Sequence, residues 1–458
     1  MAALCVWMNG QRVGTWTAGQ SAVSEFVYDP AWTQSAYFRV LSLSIPATAD
    51  LIVRGNQVTS YFDNLLPDNP AIRKRIGERF KVRADTFELL MAIGRDCIGA
   101  VQLLPPGAQP SGWNEVRAIA LTDTDVARHL RAVTAPASGI GALDDADALR
   151  ISLAGAQEKS AFLRMGGKWF RPTGATPTTH IMKLPLGIIA GGLDFKRSVE
   201  NEWLCAQFIE AMGLPAARTA IETFEDQTVL VVERFDRRWI GADCAEVDKR
   251  RFSPGKGVYI ARLPQEDFCQ ALGVPLERKY QKDGGPSIAQ GLQLLAGSEH
   301  AAEDRSRFAL TQLLFWLLAA PDGHAKNFSI QHAVGGRYHL TPLYDVLSAW
   351  PLIGRKAKQL QYEKVTVAMA LRGKSAHYRM DTIQARHWHA LALSVGVDGL
   401  WERMIDTVVR ASEVFHSLHE RLPPDFPESV FNAIGSGIKR HARVFLDALE
   451  SVPPIRRG

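Results

Sequence analysis

The pattern of apolar and polar positions divides the chain into a β-rich first part, a mixed middle part and a largely helical remainder. Up to about residue 105, short apolar runs alternate with turn residues, and the Asn9-Gly10 dipeptide between two such runs predicts a β-hairpin. The segments 70–80 and 85–94 have the spacing of short helices. The segments 103–115 and 133–148 are rich in loop-forming residues, and the second predicts a subdomain boundary.

The middle part shows more regular elements. These are a hairpin over 160–172 that turns at Gly166-Gly167, a short strand over 179–185, a helix over 198–215 and a buried strand over 227–239 that runs into a charged segment. In the helix, Val199, Trp203, Phe208 and Met212 lie along one face. Beyond about residue 260 the pattern is mostly helical to about residue 450, and the apolar run 310–319 predicts a buried helix.

Composition narrows the class of protein. A chain of 458 residues exceeds the size of a single hydrophobic core, so two or more domains are expected. The net charge of +5 is mildly basic and permits an acidic partner. We expect a soluble cytoplasmic protein, because there is no signal peptide and the longest apolar run, 313–320, is too short for a bilayer. Five scattered cysteines without a C-x-x-C pair predict free thiols: Cys5, Cys97, Cys205, Cys244 and Cys269.

A dense polar stretch follows the apolar run 310–319. Asp322 and Asn327 have the D-x-x-x-x-N spacing of the protein-kinase catalytic loop, in which the Asp receives the proton of the substrate hydroxyl and the Asn holds Mg²⁺. Asp345 follows eighteen positions after Asn327, where kinases carry a second carboxylate for Mg²⁺. The spacing alone is a weak signal, since Asp and Asn five residues apart occur by chance in most chains of this length.

Features upstream strengthen the interpretation, because they follow in kinase order. Lys183 on a strand and Glu202 on the following helix match the lysine that contacts the phosphates and its helix carboxylate. The small-residue loop 152–161 could bring backbone N–H groups close to phosphates. The segment Glu233–Phe235 could serve as a hinge that offers backbone groups to adenine. The constellation predicts an ATP- and Mg²⁺-dependent phosphotransferase.

Each feature also has a simpler interpretation. Lys183 could be a solvated lysine, Glu202 an exposed helix carboxylate, and the 152–161 loop an ordinary turn, because it lacks the G-x-G-x-x-G pattern. Asp345 could cap the segment that follows it. His324 is expected to be structural or to contact phosphate, since no second histidine lies at metal-ligand spacing. The joint occurrence in kinase order makes the simpler interpretations much weaker.

Several longer motifs resemble one family, the HipA toxins, which are serine/threonine kinases of bacterial type II toxin–antitoxin pairs. The motifs are YFDNLLPDN, RISLAGAQEKSAFL, TPTTHIMKLP, VERFDRRW, RLPQEDFCQALG, YQKDGGP, DGHAKNFS and LTPLYDVLSAWP. The resemblance runs from the first strands to the segment 422–430 and so covers nearly the whole chain. It implies an α/β (α+β) N-terminal part and an all-helical C-terminal lobe in a bilobal protein-kinase-like fold. We place the division at 1–140 for an N-terminal subdomain, 141–255 for a kinase N-lobe and 256–458 for a helical C-lobe.

The resemblance implies a role for each matching residue. Asp322 would be the catalytic base, Asn327 and Asp345 the Mg²⁺ ligands, and Ser152 the autophosphorylated serine. A phosphoserine carries about −1.5 to −2 charges, so a phosphate on Ser152 beside the ATP phosphates would be repelled and would block ATP binding. The implied ATP-binding residues are Ala154, Gly155, Ala156, Gln157, Glu158, Lys159, Lys183, Glu233, Arg234, Phe235, His324, Ala325, Lys326, Asn327, Tyr344 and Asp345, with Glu202 in support.

The resemblance also implies partners. These are a small helix-turn-helix antitoxin (HipB-like), operator DNA reached through that antitoxin, and glutamyl-tRNA synthetase as the protein substrate, whose phosphorylation halts translation and induces dormancy. The basic stretch 369–388 could meet DNA phosphates, although such a stretch is usually a solvated face. Two features depart from the family pattern: Pro321 stands where the family often has threonine, and the insert 240–264 is longer than expected.

Two rival functions share many of these residues. A small-molecule kinase of the same broad fold would carry the same catalytic groups, but it would lack the serine of the RISLAGAQEK loop. A non-catalytic repressor subunit bound to its antitoxin would not need Asp322, Asn327, Asp345 and Lys183 intact.

Overall fold

The computed structural model describes residues 2–19, 22–134, 157, 159–241 and 257–452, and the chain folds into two compact units that are interleaved in sequence. The first unit consists of Met1–Leu184, Glu222–Glu277 and Ser329–Tyr338. The second consists of Pro185–Ile221, Arg278–Phe328 and His339–Gly458. The three-part division at residues 140 and 255 stays a prediction.

The elements are numbered along the chain. The strands are β1 Ala2–Met8, β2 Gln11–Gly19, β3 Ala22–Tyr28, β4 Ile52–Arg54, β5 Val101–Leu104, β6 Ala118–Ala120, β7 Lys159–Met165, β8 Lys168–Pro172, β9 His180–Lys183, β10 Gly187–Ile189, β11 Leu193–Phe195, β12 Thr219–Phe224, β13 Gln227–Glu233, β14 Arg237–Ile240, β15 Tyr259–Arg262, β16 Gln265–Asp267, β17 Ser329–His332, β18 Tyr338–Leu340, β19 Thr366–Arg372 and β20 Ala376–Arg379. The helices are α1 Pro30–Thr33, α2 Asn56–Asp63, α3 Pro70–Phe80, α4 Thr86–Ile93, α5 Asp123–Thr134, α6 Ser198–Ala211, α7 Phe268–Ala271, α8 Ile288–Leu295, α9 Ala301–Leu317, α10 Ala385–Val395, α11 Leu400–Ser417 and α12 Glu428–Asp447.

The first unit begins with an antiparallel sheet of order β4-β3-β2-β1-β5. The predicted hairpin is confirmed: Asn9 and Gly10 both have positive φ, of 45° and 79°, which is the requirement of a tight hairpin turn. Trp16 of β2 stacks on Phe62 of α2, with ring centroids 4.0 Å apart, so the sheet and the helix share one core.

A six-stranded sheet follows in the order β12-β13-β9-β7-β8-β6. The hairpin expected over 160–172 is β7 and β8, which pair antiparallel around Gly166 and Gly167. The expected strands at 179–185 and 227–239 are β9 and β13, which also pair antiparallel. The buried side chains between this sheet and α5 include Phe162, Trp169 and Val231.

The second unit has a helical core. Phe208 of α6 packs against Phe415 of α11 with ring centroids 5.6 Å apart, and Trp316 of α9 stacks on His441 of α12 at 4.2 Å. Both helices predicted around these positions are confirmed as α6 and α9. In α6 burial extends beyond the predicted face, because Glu200, Asn201 and Glu202 are buried as well.

The expectation of an all-helical part after residue 256 is wrong in one respect. Strands β15 to β20 lie there, and β19 and β20 form an antiparallel hairpin. The run that forms β19, TVAMALR, is buried over five consecutive positions. A short apolar run of this kind has no period that separates a buried strand from a buried helix.

Two smaller expectations can be compared with the structure. Cys5, Cys97, Cys205 and Cys269 are buried free thiols, and Cys244 lies outside the described residues. Among the helices of the described ranges, none combines the length and the apolar character needed to cross a bilayer. The central part of the 240–264 insert, residues 242–256, also lies outside the described residues.

Candidate active site

The predicted catalytic loop follows directly from the end of α9. The helix ends at Leu317, and Ala319 takes a left-handed φ of 47°, which turns the chain. The Ala320 N–H donates to the Phe315 carbonyl oxygen at 2.7 Å, and the Ser348 hydroxyl donates to that of Leu318 at 2.6 Å. These bonds satisfy carbonyl groups that the helix end would otherwise leave without a partner, and they hold the loop against the helix.

Gly323 is the position where this loop comes closest to α9. A Cβ atom there would lie 2.2 Å from Cδ2 of Phe315, whose ring is buried. Phe315 in turn packs near Phe328, with ring centroids 5.7 Å apart. The loop can follow this path only because residue 323 carries no side chain.

Asp322 and Asn327 are brought together by the loop itself. The Asn327 side-chain amide donates to the Asp322 carbonyl oxygen at 2.7 Å, and the His324 N–H donates to the same oxygen at 2.8 Å. Asn327 is buried at 5% exposure, whereas 49% of the Asp322 side chain is exposed. Because the side-chain nitrogen of Asn327 makes this hydrogen bond, its side-chain oxygen is the atom that could coordinate a cation. The Asp322 carboxylate meanwhile stays partly accessible to solvent.

Tyr280 is a residue of this site that the roles assigned from the sequence do not include. Its hydroxyl donates a hydrogen bond to Oδ1 of Asp322, and its ring packs edge-on against His324 with centroids 4.8 Å apart. His324 Nε2 lies 3.6 Å from the same Oδ1. The only sequence signal was the YQKDGGP motif, whose paired glycines predict a turn but assign no role to the tyrosine.

Asp345 lies in a second loop of the same unit. It has a left-handed φ of 62°, a conformation that few residues other than glycine adopt. The loop is fixed on one side by Leu343, whose N–H donates to Pro215 O at 2.9 Å and whose carbonyl accepts from Ala217 N–H at 2.8 Å. On the other side, Asn201 of α6 exchanges two hydrogen bonds with the Ser348 backbone, at 2.8 and 2.9 Å.

Tyr344 joins the two loops. Its hydroxyl donates to the carbonyl oxygen of Lys326 at 2.9 Å, so the residue before Asp345 is tied to the residue before Asn327. Ala325, Lys326 and Asn327 form one turn of 3₁₀ helix and are all buried. The structure therefore holds Asp322, His324, Asn327 and Tyr344 in one connected network.

Among the described residues of the first unit that were predicted to contact nucleotide, Lys159, Lys183 and Glu233 lie on strands of its six-stranded sheet. Lys183 is the last residue of β9, is 5% exposed, and lies opposite Lys159 of β7 and Leu230 of β13. The Gln157 side chain donates to the carbonyl oxygen of Leu184. Lys159 is half-buried. Lys183 is therefore not the solvated surface lysine of the simpler interpretation.

The predicted hinge, Glu233–Phe235, follows β13. The Arg234 N–H donates to Thr179 O at 2.9 Å, and its guanidinium donates to Asp236 at 3.0 and 2.8 Å and to Thr178 at 2.9 Å. Both the amide and the side chain of Arg234 are thus used inside the protein. Any contribution of this segment to adenine binding falls to the other backbone groups. The charged segment after β13 is buried rather than exposed at Arg234 and Asp236.

A buried charge cluster that the sequence did not reveal surrounds this segment. We call it the Arg–Asp cluster; it consists of Asp96, Arg234, Asp236, Arg237 and Arg262. Burial disfavours the ionised form of Asp96, but Arg237, Arg262 and Arg234 outweigh it and hold the pKa of Asp96 below its ordinary value. Burial and the neighbouring Arg234 lower the pKa of Arg237 to about 10. The cluster therefore places three guanidinium groups around two carboxylates inside the protein.

Some predicted residues cannot be compared with the structure. Ser152, Ala154, Gly155, Ala156 and Glu158 lie outside the described residues. Glu202 is buried in α6 of the second unit and Lys183 belongs to the first unit, so the pairing of these two side chains stays a prediction.

The described residues fit a magnesium site that phosphates would complete. Asn327 would present its side-chain oxygen and Asp345 would supply a carboxylate, and oxygen ligands of these types are the ones Mg²⁺ prefers. No group of three or more His, Cys, Asp or Glu side chains within the described ranges could hold a metal alone. Mg²⁺ is commonly bound by one or two carboxylates together with substrate phosphates, which agrees with this donor set.

Two segments of the chain match models of one protein family. Residues 151–415 match the family model described as HipA-like C-terminal domain, and residues 4–104 match that of the HipA N-terminal domain. Y4mE of Sinorhizobium fredii, whose name describes it as a candidate kinase, is 32% identical over 80% of this chain and 82% of its own. The serine/threonine-protein kinase toxin HipA of Shewanella oneidensis is 28% identical over 70% of this chain and 69% of its own.

A solved structure shows the same fold. The HipA chain of the Shewanella oneidensis complex with HipB and operator DNA superposes with a TM-score of 0.77 at 23% identity, and the match covers 98% of this chain and 100% of that one. The expected mixed fold of sheets and helices is thereby confirmed.

Proposed function

Since the chain belongs to the HipA family, we propose that it is an ATP-dependent serine/threonine protein kinase that acts as the toxin of a toxin–antitoxin pair. The observation that carries this proposal is the connected loop network of Asp322, Asn327 and Tyr344, next to Asp345. A repressor subunit without catalysis would have no use for a half-exposed carboxylate whose backbone is fixed by a buried asparagine side chain.

In the proposed reaction, Asp322 accepts the proton of the substrate hydroxyl. The hydroxyl oxygen attacks the γ-phosphorus, a new P–O bond forms, and the bond from the γ-phosphorus to the bridging oxygen breaks so that ADP leaves. Asp322 suits this role because its carboxylate is half-exposed while its backbone is fixed by two hydrogen bonds. Fixed geometry of this kind supplies much of the catalysis in phosphoryl transfer.

The remaining predicted residues would bind the nucleotide. Asn327 and Asp345 would hold Mg²⁺, which when bound neutralises negative charge on the β- and γ-phosphates. Lys183 would contact the phosphates with support from Glu202, and backbone groups of Glu233 and Phe235 would hold adenine. The residues proposed to line the phosphates are Ala154, Gly155, Ala156, Gln157, Glu158, Lys159, His324, Ala325 and Lys326.

The finer assignments follow from the family. Ser152 is the proposed autophosphorylation site, and glutamyl-tRNA synthetase is the proposed substrate. The Shewanella oneidensis HipA structure, which also contains HipB and operator DNA, supports a HipB-like antitoxin as partner and a corepressor role on DNA. The cytoplasm is the proposed compartment, because each of these partners is found there.

Transfer of labelled phosphate from ATP tests this function. Wild type, Asp322→Ala and Ser152→Ala would be incubated with and without glutamyl-tRNA synthetase, and the labelled residues would be mapped by mass spectrometry. We expect wild type to label Ser152 and the synthetase, and Asp322→Ala to lose at least about 10²-fold in rate, since a general base contributes about 10²–10⁴-fold.

The outcomes separate the alternatives. Label on Ser152 without label on the synthetase would keep the kinase and reject this substrate. Transfer only to free metabolites would favour the small-molecule kinase. No transfer by wild type, together with no rise in melting temperature on adding Mg-ATP, would contradict the kinase and favour the repressor subunit.

A further inference from the structure

We propose that Tyr280 is a positioning residue for the catalytic base. By holding Oδ1 of Asp322, it turns Oδ2 toward the incoming substrate hydroxyl. The inference rests on the proposed kinase function and adds to it a residue that acts through Asp322 rather than on the reacting atoms.

The first support is the arrangement around the carboxylate. Tyr280 donates to Oδ1, and His324 Nε2 lies 3.6 Å from that same oxygen. Within the described part of the chain, Oδ2 of Asp322 accepts no hydrogen bond, and 49% of the side chain is exposed. The two oxygens of Asp322 thus differ: one contacts the protein, and the other faces solvent.

The second support is the need for such a contact. The terminal torsion of an aspartate has a broad, roughly two-fold profile, so a half-exposed carboxylate rotates readily. A base must lie within about 2.6–3.2 Å of the proton it removes, and a misplacement of about 1 Å can reduce the rate about 10²-fold. A hydrogen bond to one oxygen restricts the rotation and keeps the other oxygen in place.

The third support is that Tyr280 is itself fixed in place. Its carbonyl oxygen accepts from the N–H groups of Asp283 and Gly285, at 3.0 Å each. The Lys279 carbonyl accepts from the Ala325 N–H at 3.2 Å, which ties the tyrosine segment to the catalytic loop. Gln281 Oε1 accepts from the Ala370 N–H of β19 at 2.8 Å.

The side chain is restrained as well. The ammonium groups of Lys279 and Lys282 lie 5.6 and 5.5 Å from the centre of the Tyr280 ring, and the ring edge packs against His324. Gly285 makes the tight turn possible, since a Cβ there would lie 1.8 Å from the Arg278 carbonyl oxygen. Because the Tyr280 side chain is restrained, its hydrogen bond also restricts the rotation of the Asp322 carboxylate.

The substitution Tyr280→Phe tests the role, because it removes the hydroxyl and keeps the ring. We expect kcat for phosphate transfer to fall about 10-fold or more, within the range that misplacement of a catalytic group produces. KM for ATP and the melting temperature should stay close to those of wild type. Tyr378→Phe is the matched control, because the Tyr378 hydroxyl makes no hydrogen bond within the described residues and its activity should be unchanged.

A double-mutant comparison separates positioning from a general structural effect. In the Asp322→Ala background there is no carboxylate to orient, so adding Tyr280→Phe should leave the residual rate unchanged. An equal loss in both backgrounds, or an unchanged kcat for Tyr280→Phe in an active enzyme, would overturn the positioning role and leave the kinase intact. Absence of transfer by wild type would overturn both proposals.

Discussion

At position 323 the path of the catalytic loop requires glycine, because there is no room for a Cβ atom. The loop passes the buried ring of Phe315 so closely that a methyl group would meet the ring at 2.2 Å. The same ring packs with Phe328, which directly follows the 3₁₀ turn that contains Asn327. Residue 323 therefore sets how far Asp322 can lie from the end of α9.

We expect Gly323→Ala to displace the loop and to lower both activity and stability. Overpacking of this kind costs about 1–3 kcal/mol of the free energy of unfolding, and kcat should fall because Asp322 moves with the loop. Thermal melting and phosphate-transfer assays would measure both effects.

Two companion variants make this test specific. Phe315→Leu in the Gly323→Ala protein shortens the opposing side chain and should restore part of the activity. Gly435→Ala also places a methyl group against a phenylalanine ring, but at 3.0 Å from Phe415 and within helix α12, where alanine is favoured over glycine, so it should cost clearly less than Gly323→Ala. Full activity of Gly323→Ala alone would show that the loop tolerates the displacement.

The sequence revealed only part of this site. Asp322 and Asn327 could be found because they lie five positions apart in one loop, so their spacing can be seen directly in the sequence. Tyr280 could not be assigned, because it precedes Asp322 by forty-two positions and meets it only through tertiary packing. The internal role of Arg234 was also not predictable, since its partners Asp96 and Thr178 are far away in the chain.

At the scale of elements, the connection between β13 and β14 is held by several buried ion pairs. Three guanidinium groups and two carboxylates of the Arg–Asp cluster are buried around it. Asp96 accepts from Arg237 at 2.9 Å and from both the amide and hydroxyl of Thr178, at 3.0 and 2.7 Å. Removing its charge would leave three buried cations facing one carboxylate.

We expect Asp96→Asn to lower the free energy of unfolding by about 3–5 kcal/mol, the range for breaking a buried ion pair. If enough folded protein remains, KM for ATP should rise, because the segment Glu233–Phe235 belongs to the same connection. Chemical denaturation and ATP kinetics would measure the two effects. Asp406→Asn is the control: its pair with Arg410 on α11 is exposed, so less than about 1 kcal/mol is expected. Equal effects of the two substitutions would contradict the role given to the cluster.

Element type was predictable where the local pattern was distinctive. The hairpins carried turn residues at Asn9-Gly10 and Gly166-Gly167, and the helices α3 and α6 carried apolar residues at helical spacing. Strand β19 lacked such a signal, because its apolar residues are buried on both faces. The wrong expectation of an all-helical C-terminal lobe arose because short buried strands such as β19 show no alternation of apolar and polar residues.

For the molecule as a whole, buried histidines contribute to the response of stability to acid. Burial lowers the pKa of His441 to about 3 and that of His129 to about 4. His441 lies between the Trp316 carbonyl oxygen and the Tyr362 hydroxyl, each at 2.6 Å, and stacks on Trp316. These rings are neutral in the folded protein, whereas they would be protonated below about pH 6.5 in the unfolded chain.

We therefore expect stability to be full above about pH 6.5 and to fall as the pH decreases toward 3. A lowered folded-state pKa means that the unfolded chain binds protons first, which favours unfolding in acid. Melting temperatures measured from pH 7.5 to pH 4.5 would show the slope. His441→Gln keeps a donor and an acceptor but cannot be protonated, so its slope should be shallower than that of wild type. An identical slope would show that other groups control the acid response.

The interleaving of the two units could not be predicted from the sequence. The chain passes from one unit to the other after residues 184, 221, 277, 328 and 338. No local pattern marks these crossings, because they are decided by which distant segments pack together. The chain length could therefore indicate that there is more than one unit, but the sequence could not show which segments belong to each unit.

The Arg–Asp cluster also has a consequence for how relatives of this chain diverge. Asp96 lies in the segment matched by one family model, while Arg234, Asp236, Arg237 and Arg262 lie in the segment matched by the other. Asn9 adds a second link, since its side chain bonds both the N–H and the C=O of Arg262, at 2.9 and 2.8 Å. A substitution that removes a charge in one segment would leave a buried charge in the other segment without its partner. Across homologues these positions should be kept or replaced together, and natural recombination at the boundary between the two segments should be rare.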